Sequence, residues 1–354
     1  MSISEDSQTL NIINPGRYWT GFLLRVFSWL MVSLTLLFLV NNYLIFWRGW
    51  PGLWNFFAHH EWFGISPLRT PLNEESQMLG WTQTIALISI IILNLLFVIK
   101  TPKRKLGEDS VVLSRFAAYL TRSFFWAVFI VGCFDIVISF LRVEDFLEPL
   151  FGDVIAVELG RSVFRGTYIH YPIVVLSFVI AYFVRGLGFT WLALLVVVAE
   201  FQIVISRFVY SYEQAFMGDL VRMWYAALFL FASSYALVTE GHVRVDVLYS
   251  KFKLRTKAIS NAVGCLLLGI PLCWVILMTG MWYKGSSLNS PLLSFEVYQQ
   301  GFGMYTKYLM VGFLIVFAVC MLVQFMGYFL KCTAELLGEE IEDCLLYTSD
   351  AADE

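Results

Sequence analysis

The feature that most constrains this chain is a series of apolar runs, most of them close to the length of a membrane-spanning helix. Such a helix needs about 20 predominantly apolar residues. The 354 residues are 59% hydrophobic and only 14% charged, whereas about 25% of the residues of a soluble globular domain are charged. The runs do not alternate in the short segments typical of a membrane β-barrel. The sequence therefore predicts an all-α, polytopic helical membrane protein.

We predict about eight membrane-spanning helices. The fourth is short and breaks at Arg185-Gly186-Leu187-Gly188. The predicted spans cover residues 22–47, 79–98, 116–141, 169–184, 191–210, 223–238, 258–283 and 305–330.

Clusters of Lys and Arg determine the predicted orientation, because cytoplasmic loops carry an excess of these residues. With eight spans, both termini and the loops after spans two, four and six lie on one side. That side holds the basic clusters at residues 100–105 and 251–257, whereas the loop at 144–158 is acidic and lies opposite. We therefore expect both termini in the cytoplasm. The net charge of −3 and the lack of a long basic block argue against nucleic acid as a partner.

Two carboxylates, Asp135 and Glu200, lie well inside predicted spans. A carboxylate at the centre of a spanning helix costs roughly 2.5 to 3.5 kcal/mol on insertion scales, so it normally faces protein or water. Two interpretations follow. Either the acid makes a helix-packing hydrogen bond, or it takes part in ion or proton coupling.

Asp219 and Arg222 are three residues apart, on one edge of the sixth span near its outer end. Arg207, at the outer end of the preceding span, could reach them. These charges either anchor the two helices or a partner, or simply extend to the lipid headgroups.

The sixth span ends in the most distinctive motif of the chain, Gly241-His242-Val243-Arg244-Val245-Asp246. On a helix, His242 and Asp246 share a face; in an extended segment, Arg244 joins them on one side. One His and one Asp fall short of the usual zinc ligands. We predict no catalytic, metal or cofactor site here. Beside the cluster at 251–257, the motif indicates a cytoplasmic helix end that binds anionic membrane lipid or a partner loop.

This region resembles the small membrane subunit of TRAP transporters, the DctQ family, in the variant associated with mannitol and chloroaromatic compounds. Both have an aromatic-rich span with small residues that runs into a Gly-His-x-Arg-x-Asp end. The matching residues are Tyr225, Ala227, Leu228, Phe229, Ala232, Tyr235, Leu237, Gly241, His242, Arg244 and Asp246. The resemblance covers roughly residues 191–332.

The resemblance implies a small, non-catalytic subunit of a secondary active transporter in the bacterial inner membrane. Its partners would be a large, DctM-like permease subunit, which moves the substrate, and a DctP-like periplasmic solute-binding protein. Uptake would be driven by an ion gradient, usually of sodium, and the solute would be an organic acid or a similar small molecule. The chain itself would be a scaffold that helps dock the binding protein. We expect Trp224 and other interfacial aromatic residues to fix its depth in the bilayer.

The resemblance also divides the chain. Residues 1–190 form an N-terminal extension with about four spans, residues 191–332 a DctQ-like region of four helices, and residues 333–354 a tail. A typical small subunit has only the four helices. Residues 344–354, CLLYTSDAADE, change character abruptly and resemble translated adapter sequence, so we treat them as an artefact.

Two other functions stay open. A self-sufficient channel or carrier would use Asp135 and Glu200 in its own pathway. A membrane enzyme subunit would need cofactor-binding residues. We find none, and we place none of the four histidines, His59, His60, His170 and His242, at mid-membrane, where a haem ligand would be needed.

Overall fold

The computed structural model describes residues 15–184, 189–238, 249–298 and 302–339, and in these ranges the chain forms helices and no strand. Two π-helical segments, Gly166–His170 and Cys265–Gly269, continue directly into the helices that follow them. The α-helices are α1 Pro15–Arg48, α2 Gly52–His59, α3 Glu74–Lys100, α4 Leu106–Val143, α5 Leu147–Phe151, α6 Asp153–Leu159, α7 Ser162–Arg165, α8 Tyr171–Phe183, α9 Phe189–Val209, α10 Ala215–Val238, α11 Leu254–Gly264, α12 Ile270–Met281, α13 Asn289–Ser294 and α14 Lys307–Leu336.

Eight helical stretches of the described chain are long and apolar enough to cross a membrane, by length and composition. This confirms the predicted polytopic all-α fold. The spans run over Tyr18–Arg48, Glu74–Lys100, Leu106–Val143, Ser162–Phe183, Trp191–Val209, Ala215–Ser234, Leu254–Met281 and Lys307–Leu336.

Several spans begin earlier than predicted, and the difference is largest for the third, fourth and sixth. They start at Leu106, Ser162 and Ala215 rather than at residues 116, 169 and 223. In each case the start of the helix contains charged residues, so a hydropathy pattern misses it. The 38 residues of α4 extend over about 57 Å at 1.5 Å per residue, which is longer than the roughly 30 Å of a bilayer core.

The ends of α3 follow from local sequence. The side chain of Asn73 accepts a hydrogen bond from the Ser76 N–H at 2.8 Å, and Glu74 and Glu75 occupy the first turn. Both features stabilise a helix N-terminus. The helix stops at Lys100, just before Thr101-Pro102, because a residue that precedes proline avoids the helical conformation.

Helices α4 and α14 form the centre of the bundle. Helix α14 packs against α4, α10, α11, α12 and α1, and α4 also packs against α8 and α10. Their contact is close: the Ser110 hydroxyl donates to the Gly327 carbonyl at 2.7 Å, and Gln324 Nε2 donates to Ser114 Oγ at 3.1 Å. A Cβ atom at Gly327 would lie only 2.9 Å from Ser114 Oγ, so glycine is required for this approach.

Helices from both halves of the chain therefore share one core. Leu113 and Val128 of α4 belong to the same buried cluster as Leu220 of α10 and Met326 of α14. Trp224 of α10 is part of this cluster and is only 6% exposed. Its indole N–H points at the Val128 carbonyl at 3.3 Å. We expected Trp224, as an interfacial aromatic residue, to fix the depth of the chain in the bilayer; in the structure it is buried against α4.

Two spans lie at the periphery. Helix α3 packs mainly against α1 and α2, and α9 packs mainly against α10. The apolar part of α9 is the least buried of the eight spans.

Candidate functional site

The carboxylate of Asp135 lies in the C-terminal half of α4 and is completely buried. Its Oδ1 accepts a hydrogen bond from Arg165 Nη1 at 3.0 Å and lies 3.1 Å from His170 Nε2. Its Oδ2 accepts the backbone N–H of Tyr305 at 2.8 Å. A buried charge is tolerated when it is paired and its remaining lone pairs are hydrogen-bonded, and Asp135 meets both conditions.

Arg165 and His170 extend this network to two further segments. Arg165 donates from Nε to the Leu159 carbonyl at 2.5 Å and from Nη1 to Ser139 Oγ at 3.1 Å. The other ring nitrogen of His170, Nδ1, lies 2.7 Å from the hydroxyl of Tyr308. Arg165 and His170 are themselves fully buried. The network therefore joins α4, the α7–α8 segment and the start of α14.

Sequence reasoning named Asp135 but missed Arg165 and His170. The predicted fourth span placed the histidine at its very start, away from mid-membrane; because the helix begins at Ser162, His170 lies deeper in the span and is buried in protein. A comparison of residue depths in neighbouring spans could have predicted that His170 lies near Asp135. Asp135 lies eight residues before the end of α4, Val143, and His170 lies eight residues after Ser162, so the two side chains are at similar depth in antiparallel neighbours.

The described part of the loop before α14, residues 302–306, is held by acids from both halves of the chain. Asp135 accepts the N–H of Tyr305, and Asp219 of α10 accepts the N–H of the preceding Met304 through Oδ2 at 3.1 Å. Arg142 of α4 donates to the Gly303 carbonyl at 2.8 Å. The guanidinium groups of Arg142 and Arg165 each lie 4.4 Å from the centroid of the Tyr305 ring, a favourable cation–π arrangement. We call residues 302–306 the clamped loop.

The charges near the N-terminal end of α10 form two separate pairs. Asp219 Oδ1 accepts a bond from Arg222 Nη1 at 3.2 Å, as the spacing of these residues allows. Arg207 does not join them; its Nε lies 3.4 Å from Glu213 Oε2. The side chains of Arg207 and Glu213 are both more than half exposed, so this pair contributes little to stability by itself. Arg222 is also more than half exposed. Asp219 is buried.

Glu200 has the opposite surroundings to Asp135. It lies near the middle of α9 and is exposed on the outside of the bundle. It lines a groove between α9 and α10 together with Ile203, Met217, Gly218 and Arg222. Neither an ion pair nor a hydrogen bond joins its side chain to another residue in the described ranges. The two acids considered for a transport pathway are thus not brought together.

A further buried acid, Asp109, lies near the other end of the bundle, and sequence reasoning missed it. Its two carboxylate oxygens lie 2.7 Å from Arg25 Nε and 2.6 Å from Arg104 Nε. Arg25 also donates to the carbonyl and the hydroxyl of Thr101. Asp109 lies in the polar first turn of α4, and nothing in the local sequence pattern indicates that Arg25 of α1 pairs with it.

Outside the spans, a tyrosine bridges two connecting segments. Tyr212 Oη donates to Glu144 Oε1 at 2.7 Å. Burial, together with this bond and the negative charge of Glu144, raises the pKa of Tyr212 to about 12. The bond therefore ties the α9–α10 connection to the end of α4.

The motif residues His242, Arg244 and Asp246 lie outside the described residues, and so do residues 344–354. Their predicted roles stay predictions.

The polar cluster around Asp135 uses its charges to join helices. No group of three or more His, Cys, Asp or Glu residues in the described ranges is arranged to hold a metal ion. The groove that contains Glu200 lies on the outside of the bundle.

Comparison with known proteins gives one match. The family model of the DctQ component of tripartite ATP-independent periplasmic transporters matches residues 193–333. No curated protein and no solved structure matches the chain. Proteins of this family are in general non-catalytic and work with a large DctM permease and a periplasmic binding protein. This chain is therefore a multi-pass membrane protein whose residues 193–333 are similar to the DctQ component, the small permease component of TRAP transporters, with four further candidate membrane-spanning helices before them.

Proposed function

We propose that this chain is the small, non-catalytic permease subunit of a TRAP-type transporter and acts as a scaffold for the large permease subunit. The observation that carries the proposal is the DctQ match over residues 193–333. Substrate and coupling ion would bind in the large subunit. Uptake would be driven by an ion gradient, and an organic acid or a similar small solute is the expected cargo.

The packing around Asp135 supports a rigid scaffold. Pairing of Asp135 with Arg165 and His170 connects consecutive spans, and the clamped loop connects α4 to α14. A subunit that moved during transport would have to break several buried polar contacts at once, and each break is costly because water is absent. This favours a static support against which a partner moves.

We divide the chain functionally at about residue 190. Residues 1–190 would brace the DctQ region of residues 191–332 through α4, and residues 333–354 would form a cytoplasmic tail. The basic clusters at 100–105 and 251–257 support an orientation with both termini in the cytoplasm of a bacterial inner membrane. The segments around Glu144, Tyr212 and the clamped loop would then face the periplasm and help to dock the binding protein.

The first test is purification of the tagged chain from native membranes, with identification of the co-purifying proteins. We expect a large polytopic permease in stoichiometric amount. The second test is reconstitution in liposomes. The isolated chain should carry no ion-coupled flux, and uptake should require the large permease and its binding protein. Flux from the isolated chain that is lost in Glu200→Ala would overturn the scaffold proposal in favour of an autonomous carrier.

A further inference from the structure

The exposed face of α9 differs from an ordinary lipid-facing surface in one respect. Its side chains Val197, Phe201 and Val204 are 63%, 65% and 48% exposed, as expected for contact with lipid. Glu200 lies among them. From the ends of α9 at Phe189 and Val209, it is about 16 Å and 14 Å away at 1.5 Å per residue, too deep for a short side chain to reach the headgroups.

Helix α3 shows what a lipid-facing span of this protein looks like. Its exposed residues include Ile88, Ile92 and Leu96. Between Glu75 and Lys100 the sequence has no charged residue. Both helices are peripheral, but only α9 carries an acid at its midpoint.

The groove beside Glu200 lies between α9 and α10. Its apolar lining comes from Ile203, Met217, Gly218 and Val221, and Glu213 and Arg222 also line it. Nothing lies within 4 Å of the position that a Cβ atom of Gly218 would take. Small residues of this kind let two membrane helices approach closely.

Neither of the two arginines near the groove forms an ion pair with Glu200. Arg222 pairs with Asp219, and Arg207 pairs with Glu213. Glu200 itself has no ion pair with any described residue. Acidic side chains in a membrane interior normally pair with another charge or face a polar cavity.

We propose that the α9–α10 groove is a docking site for a transmembrane helix of a second polypeptide that presents a Lys or Arg side chain level with Glu200. This rests on the proposed function, under which the second polypeptide is the large permease subunit. The extension supports this choice of surface. Helices α10 and α14 already pack against α4, whereas α9 packs mainly against α10 and exposes Val197, Glu200 and Val204.

The test is site-specific photo-crosslinking in membranes that contain the full chain and the tagged large permease. A benzoylphenylalanine replaces Val197 or Val204, which flank Glu200 on its helix face, or Ile92 of α3 as the matched control. We expect crosslinks to the permease from positions 197 and 204 and none from position 92.

The charge requirement is tested in the same complex by co-purification. Glu200→Lys should lower recovery of the permease by about tenfold or more, since it places like charges opposite each other. Glu200→Gln, which keeps the shape, should lower it less. Glu75→Gln, an exposed acid at the start of α3, should leave recovery unchanged. In the permease, the basic residue of the crosslinked helix is then replaced by Glu. This permease variant should restore recovery when it is combined with Glu200→Lys in the chain.

The outcomes separate this inference from the proposed function. If the permease co-purifies but positions 197 and 204 crosslink to nothing, the groove faces lipid and the inference is wrong. Crosslinks to a second copy of the chain would show self-association and also overturn it. In both cases the scaffold function stands. If no permease co-purifies with the wild-type chain, both proposals fail.

Discussion

Asp135 and Glu200 are two acids in apolar spans with opposite surroundings. Asp135 is fully buried, accepts bonds from a guanidinium and a backbone N–H, and lies beside an imidazole. Glu200 is exposed on the outer face of α9 and pairs with nothing in the described ranges. Asp135 is part of the protein's own packed core, whereas Glu200 lacks a partner among the described residues. The comparison shows that the surroundings of an intramembrane acid, rather than its presence, indicate its role.

The largest effect should come from Asp135→Leu. The substitution leaves Arg165 buried without its carboxylate, so we expect a loss of about 3–5 kcal/mol in the free energy of unfolding. Reversible unfolding of the purified chain in mixed micelles measures this. The double variant Asp135→Leu/Arg165→Met should recover most of the loss, because it removes both charges. An unchanged stability in the single variant would contradict the role given to the pair.

Glu200→Leu should change the free energy of unfolding in the opposite direction to Asp135→Leu. Removal of an exposed carboxylate from the membrane interior should leave the isolated chain equally stable or more stable, by up to about 3 kcal/mol on insertion scales. The same unfolding experiment measures it, with Val197→Leu as a neutral control on the same face. A clear destabilisation would mean that Glu200 has an internal partner, and the contrast with Asp135 would collapse.

Asp219→Ala tests the other acid of the clamped loop. It leaves the Met304 N–H without an acceptor, which should cost about 1–3 kcal/mol. Faster hydrogen exchange of the Met304 amide should accompany the loss. Arg222→Ala keeps the bond to Met304 and removes a guanidinium that is itself mostly exposed, so it should cost less than Asp219→Ala. Equal effects of the two variants would show that the clamp does not depend on Asp219.

The smallest effect should come from Tyr212→Phe, which removes the bond to Glu144 at a cost of about 1 kcal/mol. Because the pKa of Tyr212 is raised to about 12 from an ordinary value near 10, the neutral form is favoured in the folded protein. The stabilisation is therefore complete below about pH 10 and is lost as the pH rises through about 12. Unfolding of both proteins from pH 7 to pH 11 tests this, and a difference that grows with pH would be the wrong sign.

The fold was largely predictable from the sequence, whereas the partners of its charges were not. The eight spans follow from local runs of apolar residues. The expected orientation follows from the basic clusters, but no contact in the structure tests it. The pairing of Asp135 with Arg165, and of Asp109 with Arg25, depends on which helices lie side by side. The partners are 30 and 84 residues apart in the sequence, so no local sequence pattern indicates that they pair.

The surface of the DctQ region was also hidden from the sequence. Asp135 and Glu200 look alike in a hydropathy pattern, and only the packing of α9 against α10 distinguishes them. The spacing of Asp219 and Arg222 did predict their contact, because residues three apart share a helix face. Arg207 bonds Glu213 instead, since the short α9–α10 connection brings Glu213 nearer.

The clamped loop has a consequence for the order of assembly during synthesis. Arg165 follows Asp135 by 30 residues, and Tyr305 follows it by 170. At about 5–20 residues per second, these gaps last about 2–6 s and about 9–34 s. The helix that carries Asp135 is therefore translated before any of these partners. It gains its cation within seconds and its last hydrogen bond only when the final span is being translated. The hydrogen bond from Tyr305 therefore forms last, and it joins a segment that is translated late to the helix that carries Asp135.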